Sequence, residues 1–210
     1  MLNLPIFAGL GPAELFSDRT QATALEDASD PGVQALLKSC HDIFVEDLSR
    51  AANEDDTSVG IALGDFKQPH DLLQPPKRYH KNAVIQNTTL CLVQLIRYFT
   101  YSLKPLSGDG FERFGVAGFC SGLLAAVAAA TYNDNDCLQF FSQGRECFRL
   151  ALLVGLRCEQ YKRRGLEHKA CDTDFPWSLI VNGITTEEAA NLVSEYNKTV
   201  CYYSLLITLE

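Results

Sequence analysis

Residues 118–122 read Gly-Phe-Cys-Ser-Gly, and this pentapeptide narrows the fold more than any other stretch of the chain. An apolar, strand-like segment precedes it (FERFGVAGF, 111–119), and a run of small and apolar residues starting LLAAVAAA follows from Leu123. A G-x-C-x-G placed between a strand and a helix has the form of a nucleophile elbow, with cysteine where serine is usual. Such a sharp turn pushes the nucleophile outward, and the flanking glycines leave room for backbone that a Cβ would crowd. The helix N-terminus behind it offers free N–H groups and positive dipole character, which favour a thiolate and a developing oxyanion. The strand–elbow–helix succession predicts an α/β fold with Cys120 as a catalytic nucleophile. The competing reading is that Cys120 is one buried thiol among eight in a glycine-rich turn.

Composition narrows the classes further. The chain has 210 residues, 47% of them hydrophobic, with 18 basic and 26 acidic side chains and a formal charge of −8. That is enough apolar chain to bury a core without disulfide or metal staples, and it argues against disorder. The acidic balance leaves no basic face to neutralise phosphates, which speaks against nucleic acid as a partner. The eight cysteines stand at 40, 91, 120, 137, 147, 158, 171 and 201, with no C-x-x-C pair. The N-terminus lacks the basic and long apolar regions of a secretory signal, and no apolar run approaches a membrane span. The thiols are therefore expected reduced and mostly buried, in a cytoplasmic protein without a zinc site. In that compartment the sequons at Asn87 and Asn197 carry no meaning.

Along the chain, LNLPIFA (2–8) predicts a strand running into Gly9-Leu10-Gly11-Pro12, with a helix near 13–17. Val33, Leu36, Leu37, Cys40, Phe44, Leu48 and Ala51 recur at three- and four-residue steps, predicting an amphipathic helix over 31–52 that starts near Pro31. Residues 53–82, with an acidic cluster, two glycines and three prolines, read as a long connection. A largely buried helix is expected over 82–103, then helices over 123–132 and 135–164. A strand–helix–strand unit is expected at 177–181, 185–196 and 200–209, with Thr185 or Thr186 capping the helix and Glu187 and Glu188 in its first turn. The apolar, strand-like end (VCYYSLLITLE) predicts that this is a piece of a larger protein, since an uncovered apolar edge invites aggregation.

The strand, GFCSG and LLAAVAAA together resemble the acyltransferases that load acyl carrier proteins, whose usual form is G-H-S-x-G. The cysteine version resembles the starter-unit acyl-CoA:acyl carrier protein transacylase domain of fungal non-reducing polyketide synthases. Other stretches are similar: IFAGLGPAELFSD to that family's first strand and oxyanion loop, AVIQNTTLCLVQLIRYF to a helix beginning around a glutamine (here Gln86), and LALLVGLRCEQY to a helix carrying an arginine (here Arg157). DFPWSLIVNGITTEEAANLVSEYN looks like the start of an inserted ferredoxin-like lobe. The resemblance implies an α/β-hydrolase-like acyltransferase core with a short parallel sheet over 1–172, followed by a partial ferredoxin-like lobe over 173–210. It implies ping-pong acyl transfer through Cys120, with the backbone N–H groups of Leu10 and Ser121 as oxyanion donors. Gln86 and Arg157 become candidate substrate contacts. The implied partners are acyl-CoA, an acyl carrier protein and the remainder of a polyketide synthase; neither metal nor redox cofactor is called for.

The chain departs from the family pattern in several places. Phe119 stands where the serine enzymes have histidine, and Leu10 stands where malonyl transferases often have glutamine. A starter transacylase handles monocarboxylic acyl groups, so Arg157 has no malonyl carboxylate to meet and is expected to be structural or a pantetheine contact. The family's catalytic histidine follows the ferredoxin-like lobe and is expected to lie beyond this chain. None of His41, His70, His80 and His168 sits in a motif that aims it at Cys120, although a thiol depends on a base less than a hydroxyl does. Gly9-Leu10-Gly11 lacks the third glycine of a dinucleotide fingerprint, because position 14 is Glu. The basic run 157–164 reads as a solvated helix end before it reads as a docking patch for an acidic carrier protein. Two alternatives stand beside the transacylase: an inactive truncated fragment of one, and a cysteine-dependent α/β-hydrolase, which would need an Asp and a His in order after the nucleophile.

Overall fold

The computed structural model describes residues 5–8, 12–54, 59–103, 115–131 and 137–167, together with 185, 187, 188, 190, 191 and 194. They fall into two units, Met1–Gln160 and Tyr161–Glu210. Among the described residues the first unit is mostly helical, built around one short parallel strand pair. The expected α/β layering is thus seen here as a single pair, β1 (Ile6–Phe7) beside β2 (Ala117–Gly118), in register Ile6 to Ala117 and Phe7 to Gly118. Residues 2–4 and 111–114 of the two expected strands lie outside the described residues.

Helices α1 (Pro12–Leu15), α2 (Asp18–Asp27) and α3 (Pro31–Glu54) follow β1. The sequence predicted α1 and α3 but not α2. Its few apolar positions, Ala22, Ala24 and Leu25, leave little periodicity to detect. It forms because Ser17 caps it, Oγ accepting from Thr20 N at 3.3 Å, and because Ala24 is fully buried. α3 begins at an equally plain signal: Asp30 Oδ1 accepts from Gly32 N at 2.8 Å and from Val33 N at 3.3 Å, with Pro31 at the first helical position.

The 59–82 connection differs from a loose loop. It winds through three 3₁₀ turns, Leu63–Asp65, Pro69–Leu72 and Lys77–Tyr79. Phe66, Leu72, Leu73 and Tyr79 drive into the core. Two of its carbonyls are held by side chains: Thr89 Oγ1 donates to Leu72 O at 3.1 Å, and Asn82 Nδ2, at the connection's own end, to Val59 O at 3.0 Å. Asp65 accepts from the Tyr79 hydroxyl and from Arg78, which together hold its carboxyl below the usual range, the tyrosine bond most of all.

α4 (Ala83–Tyr98) is the axis of the unit, buried on nearly every side and capped by Asn82, whose Oδ1 accepts from Val84 N at 2.9 Å. It continues as a π turn, Phe99–Leu103. α5 (Leu123–Ala130) follows the elbow and packs its alanines against α4. α6 (Cys137–Glu167) crosses the N-terminal end of α4 so closely that a Cβ at Gly155 would meet Val84 Cα at 2.5 Å. At this crossing buried Glu159 accepts from Ala83 N at 2.8 Å, satisfying a helix N-terminal amide with a carboxylate. Of the second unit, Thr185 caps residues 187 and 188: its Oγ1 accepts from Glu188 N, and Glu188 Oε2 accepts from Thr185 N at 2.7 Å. The strands expected at 177–181 and 200–209 lie outside the described residues.

Candidate active site

The elbow is built from both of its neighbours. β2 ends at Gly118, Cys120–Gly122 form a single 3₁₀ turn, and α5 begins at Leu123. Cys120 carries φ = +52°, the one positive φ on a non-glycine residue among the described residues. A side chain in the left-handed region costs of order 1–3 kcal/mol and persists only where its surroundings impose it. Here they do. A Cβ at Gly118 would come within 2.6 Å of Ala126 Cβ and 2.9 Å of Leu123 Cα, so the incoming strand lies directly on the outgoing helix. A Cβ at Gly122 would come within 2.5 Å of the Phe7 carbonyl oxygen and 2.9 Å of Ala8 N, so the turn also presses on β1. The Phe119 N–H donates to Phe7 O at 2.8 Å and completes the clamp.

Cys120 is exposed, unlike Cys40, Cys91 and Cys147, which are buried. Desolvation pushes those three thiols up from their ordinary value, and Cys91 is raised further by its proximity to Cys40 and Cys147. Cys158 is exposed on α6. The expectation of mostly buried thiols thus holds for three of the five described cysteine side chains. Cys120 is one of the two exceptions, against the reading of it as a core thiol. Its sulfur lies 3.8 Å from Ser121 Oγ. Ser121 stands in the 3₁₀ turn just before α5, beside the helix end whose first N–H groups have no intrahelical acceptor. Phe119, Leu123 and Val127 beside the turn are exposed, so the Cys120 thiol opens onto an apolar surface.

The other described residues singled out in the sequence make their bonds elsewhere than at Cys120. Leu10 lies outside the described residues, as does His168. Gln86 donates through Nε2 to His80 O at 2.6 Å, tying α4 to the connection before it. Arg157 is exposed on α6, donates to Gln160 Oε1 at 3.1 Å, and lines an open cleft of about 600 Å³ with Asp47, Arg50, Arg149, Leu153 and Leu156. Asp47 bridges that cleft, 3.3 Å from Arg50 and 3.2 Å from Arg149. The described histidines are engaged elsewhere: His41 with Phe66 O at 2.9 Å, His70 with Asp71 at 3.5 Å, and His80 stacked on Phe16 and 3.2 Å from Pro75 O. Among the described residues no group of His, Cys, Asp and Glu could hold a metal ion, and no helix is long and apolar enough to cross a membrane.

One residue at the site went unread in the sequence. Gln94 is 9% exposed on α4 and donates through Nε2 to Ala8 O at 2.6 Å, at the exit of β1. Its signal was a lone amide inside an apolar run, LCLVQLI, which periodicity reads simply as buried helix.

The family model for the starter unit:ACP transacylase in aflatoxin biosynthesis matches residues 15–204. Orsellinic acid synthase of Beauveria bassiana is 37% identical over 199 residues, 92% of this chain and 9% of that protein. Orsellinic acid synthase ArmB of Armillaria ostoyae is 32% identical over 212 residues, 94% of this chain and 9% of that protein. The chain therefore spans about a tenth of the length of these relatives. No solved structure matches it. An exposed cysteine held at positive φ between a parallel strand and a helix, and a family match covering nearly all of the sequence, agree: the chain belongs to the starter unit:ACP transacylase family.

Proposed function

We propose that the chain transfers a starter acyl group, from acyl-CoA or a fatty-acyl carrier protein, through a thioester on Cys120 to the acyl carrier protein of a polyketide synthase. The observation that carries this reading is the elbow: Cys120 is exposed, strained outward by glycine-tight packing on both sides, and set at the start of a helix. In the first half-reaction the Cys120 thiolate adds to the thioester carbonyl, and the backbone N–H groups of Ser121 and Leu10 receive the oxyanion. The carbonyl re-forms, the C–S bond to CoA breaks, and CoA leaves as its thiolate to take a proton from solvent. In the second, the phosphopantetheine thiol of the carrier protein loses its proton, attacks the acyl-cysteine, and releases Cys120. One thioester replaces another in each step, so no metal or redox cofactor is called for.

On this reading residues 1–172 contribute to an α/β-hydrolase-like core and 173–210 begin a ferredoxin-like lobe, in a cytoplasmic synthase. Arg157, in its arginine-lined cleft, is a candidate for the pantetheine side of the substrate. Gln86 is a second candidate substrate contact, its Nε2 already donating to His80 O. A second reading, an inactive fragment, is favoured by one observation: each described histidine is engaged away from Cys120.

Intact-protein mass spectrometry after mixing with hexanoyl-CoA separates the two. The expected result is a single acyl adduct that disappears in Cys120→Ala. An adduct that survives the substitution would overturn the nucleophile assignment. No adduct on folded wild-type protein would support the inactive fragment.

A further inference from the structure

Between the end of β1 and the helix axis of the unit runs a part-buried polar tie. Gln94 and Tyr98 stand one turn apart on α4 and meet β1 together: the Tyr98 ring lies 5.6 Å from that of Phe7, and Gln94 Nε2 holds the carbonyl of Ala8. The elbow bears on the peptide just before the one Gln94 grips, and Ala8 joins the two. Gly122 would touch Phe7 O, Phe7 C and Ala8 N with its first added carbon, and Phe119 N donates to Phe7 O. Any shift of Ala8 is therefore passed to the turn that aims Cys120. The amide is also costly where it sits, because Gln94 Oε1 is buried with no hydrogen-bond partner among the described residues. A leucine or methionine would pack this helix face without an orphaned acceptor, so the amide is retained for what its donor does.

We infer that Gln94 is a positioning residue for acyl transfer: by holding Ala8 O it fixes the strand against which the Cys120 elbow packs, and with that turn the Ser121 amide proposed to receive the oxyanion. This rests on the transacylase reading. Loss of the tie slows reactions that pass through an oxyanion and spares reactions of the sulfur that do not.

Alkylation supplies the contrast, because iodoacetamide reacts with a thiolate by displacement at carbon and forms no tetrahedral oxyanion. The test compares wild type, Gln94→Met, Gln94→Leu and Thr89→Val. The last removes another buried bond from α4 to a backbone carbonyl, at Leu72, away from the elbow. The expected result is that both Gln94 variants slow acyl loading from hexanoyl-CoA by roughly ten- to a hundredfold, with Cys120 alkylation within about twofold of wild type and its pH profile unmoved. Thr89→Val loads at the wild-type rate. Loading at the wild-type rate in the Gln94 variants overturns the inference. So does a parallel loss of loading and alkylation, or loss of the cooperative fold in both variants, since the tie would then be purely structural. If folded wild type alkylates at Cys120 but takes no acyl group, the transacylase reading itself fails and the inference falls with it.

Discussion

Replacing Gly122 by alanine tests the architecture of the elbow directly. The new Cβ would lie 2.5 Å from Phe7 O, 2.6 Å from Phe7 C and 2.9 Å from Ala8 N, all backbone atoms that no rotamer change can move. Restoring ordinary contact requires β1 and the turn to separate by roughly 0.9 Å. That displacement stretches the 2.8 Å bond from Phe119 N to Phe7 O beyond hydrogen-bonding range. Overpacking of this kind costs about 1–3 kcal/mol, and the lost bond about 1 kcal/mol more. At 2–4 °C per kcal/mol for a chain of this size, the melting temperature should fall by roughly 4–16 °C. The matched control is Gly144→Ala inside α6, whose Cβ would have as its nearest neighbours the Leu95 and Leu36 side chains, at an ordinary 3.4–3.6 Å. Helix propensity there should raise stability by about 0.5–1 kcal/mol. Calorimetry on the two variants decides the matter. A Gly122→Ala protein that melts with the wild type would refute the claim that the turn bears on β1.

Two further substitutions read other parts of the structure. Glu159→Ala leaves the Ala83 amide at the start of α4 without its carboxylate and should cost about 1.5–3 kcal/mol in urea denaturation, whereas Glu159→Gln keeps an acceptor and should cost less; equal losses would refute the assignment. Burial raises the Cys40 thiol above its ordinary 9.0. Its contribution is thus complete below pH 9 and is lost as pH rises, because the unfolded thiol ionises first. Wild type should lose ~1.4 kcal/mol per pH unit relative to Cys40→Val above about pH 9, and a flat difference would contradict the burial.

The parts of the fold legible in the sequence are those set by repeating pattern or forbidden space. α3 and α4 follow from apolar residues at helical spacing, and the elbow follows from two glycines bracketing a cysteine after a strand. α2 escaped because it is held by a cap and one buried alanine, which leave no periodicity. The connection over 59–82 read as a loop because its polar and proline content hides four isolated anchors, Phe66, Leu72, Leu73 and Tyr79. Gln94 was invisible for a related reason. A buried amide announces itself only through the backbone carbonyl it finds, 86 residues away in the chain.

That connection has a consequence for how the protein survives in a cell. A protease must draw several consecutive residues into an extended cleft, and the 3₁₀ turns are pinned at both backbone and side chain by Thr89, Asn82 and the aromatic anchors. The stretch that looks most open to digestion by composition is thus sheltered by the helix it wraps. Natural variation should follow the same map, with insertions rare between Val59 and Asn82 even though none of the bonds described there reaches Cys120.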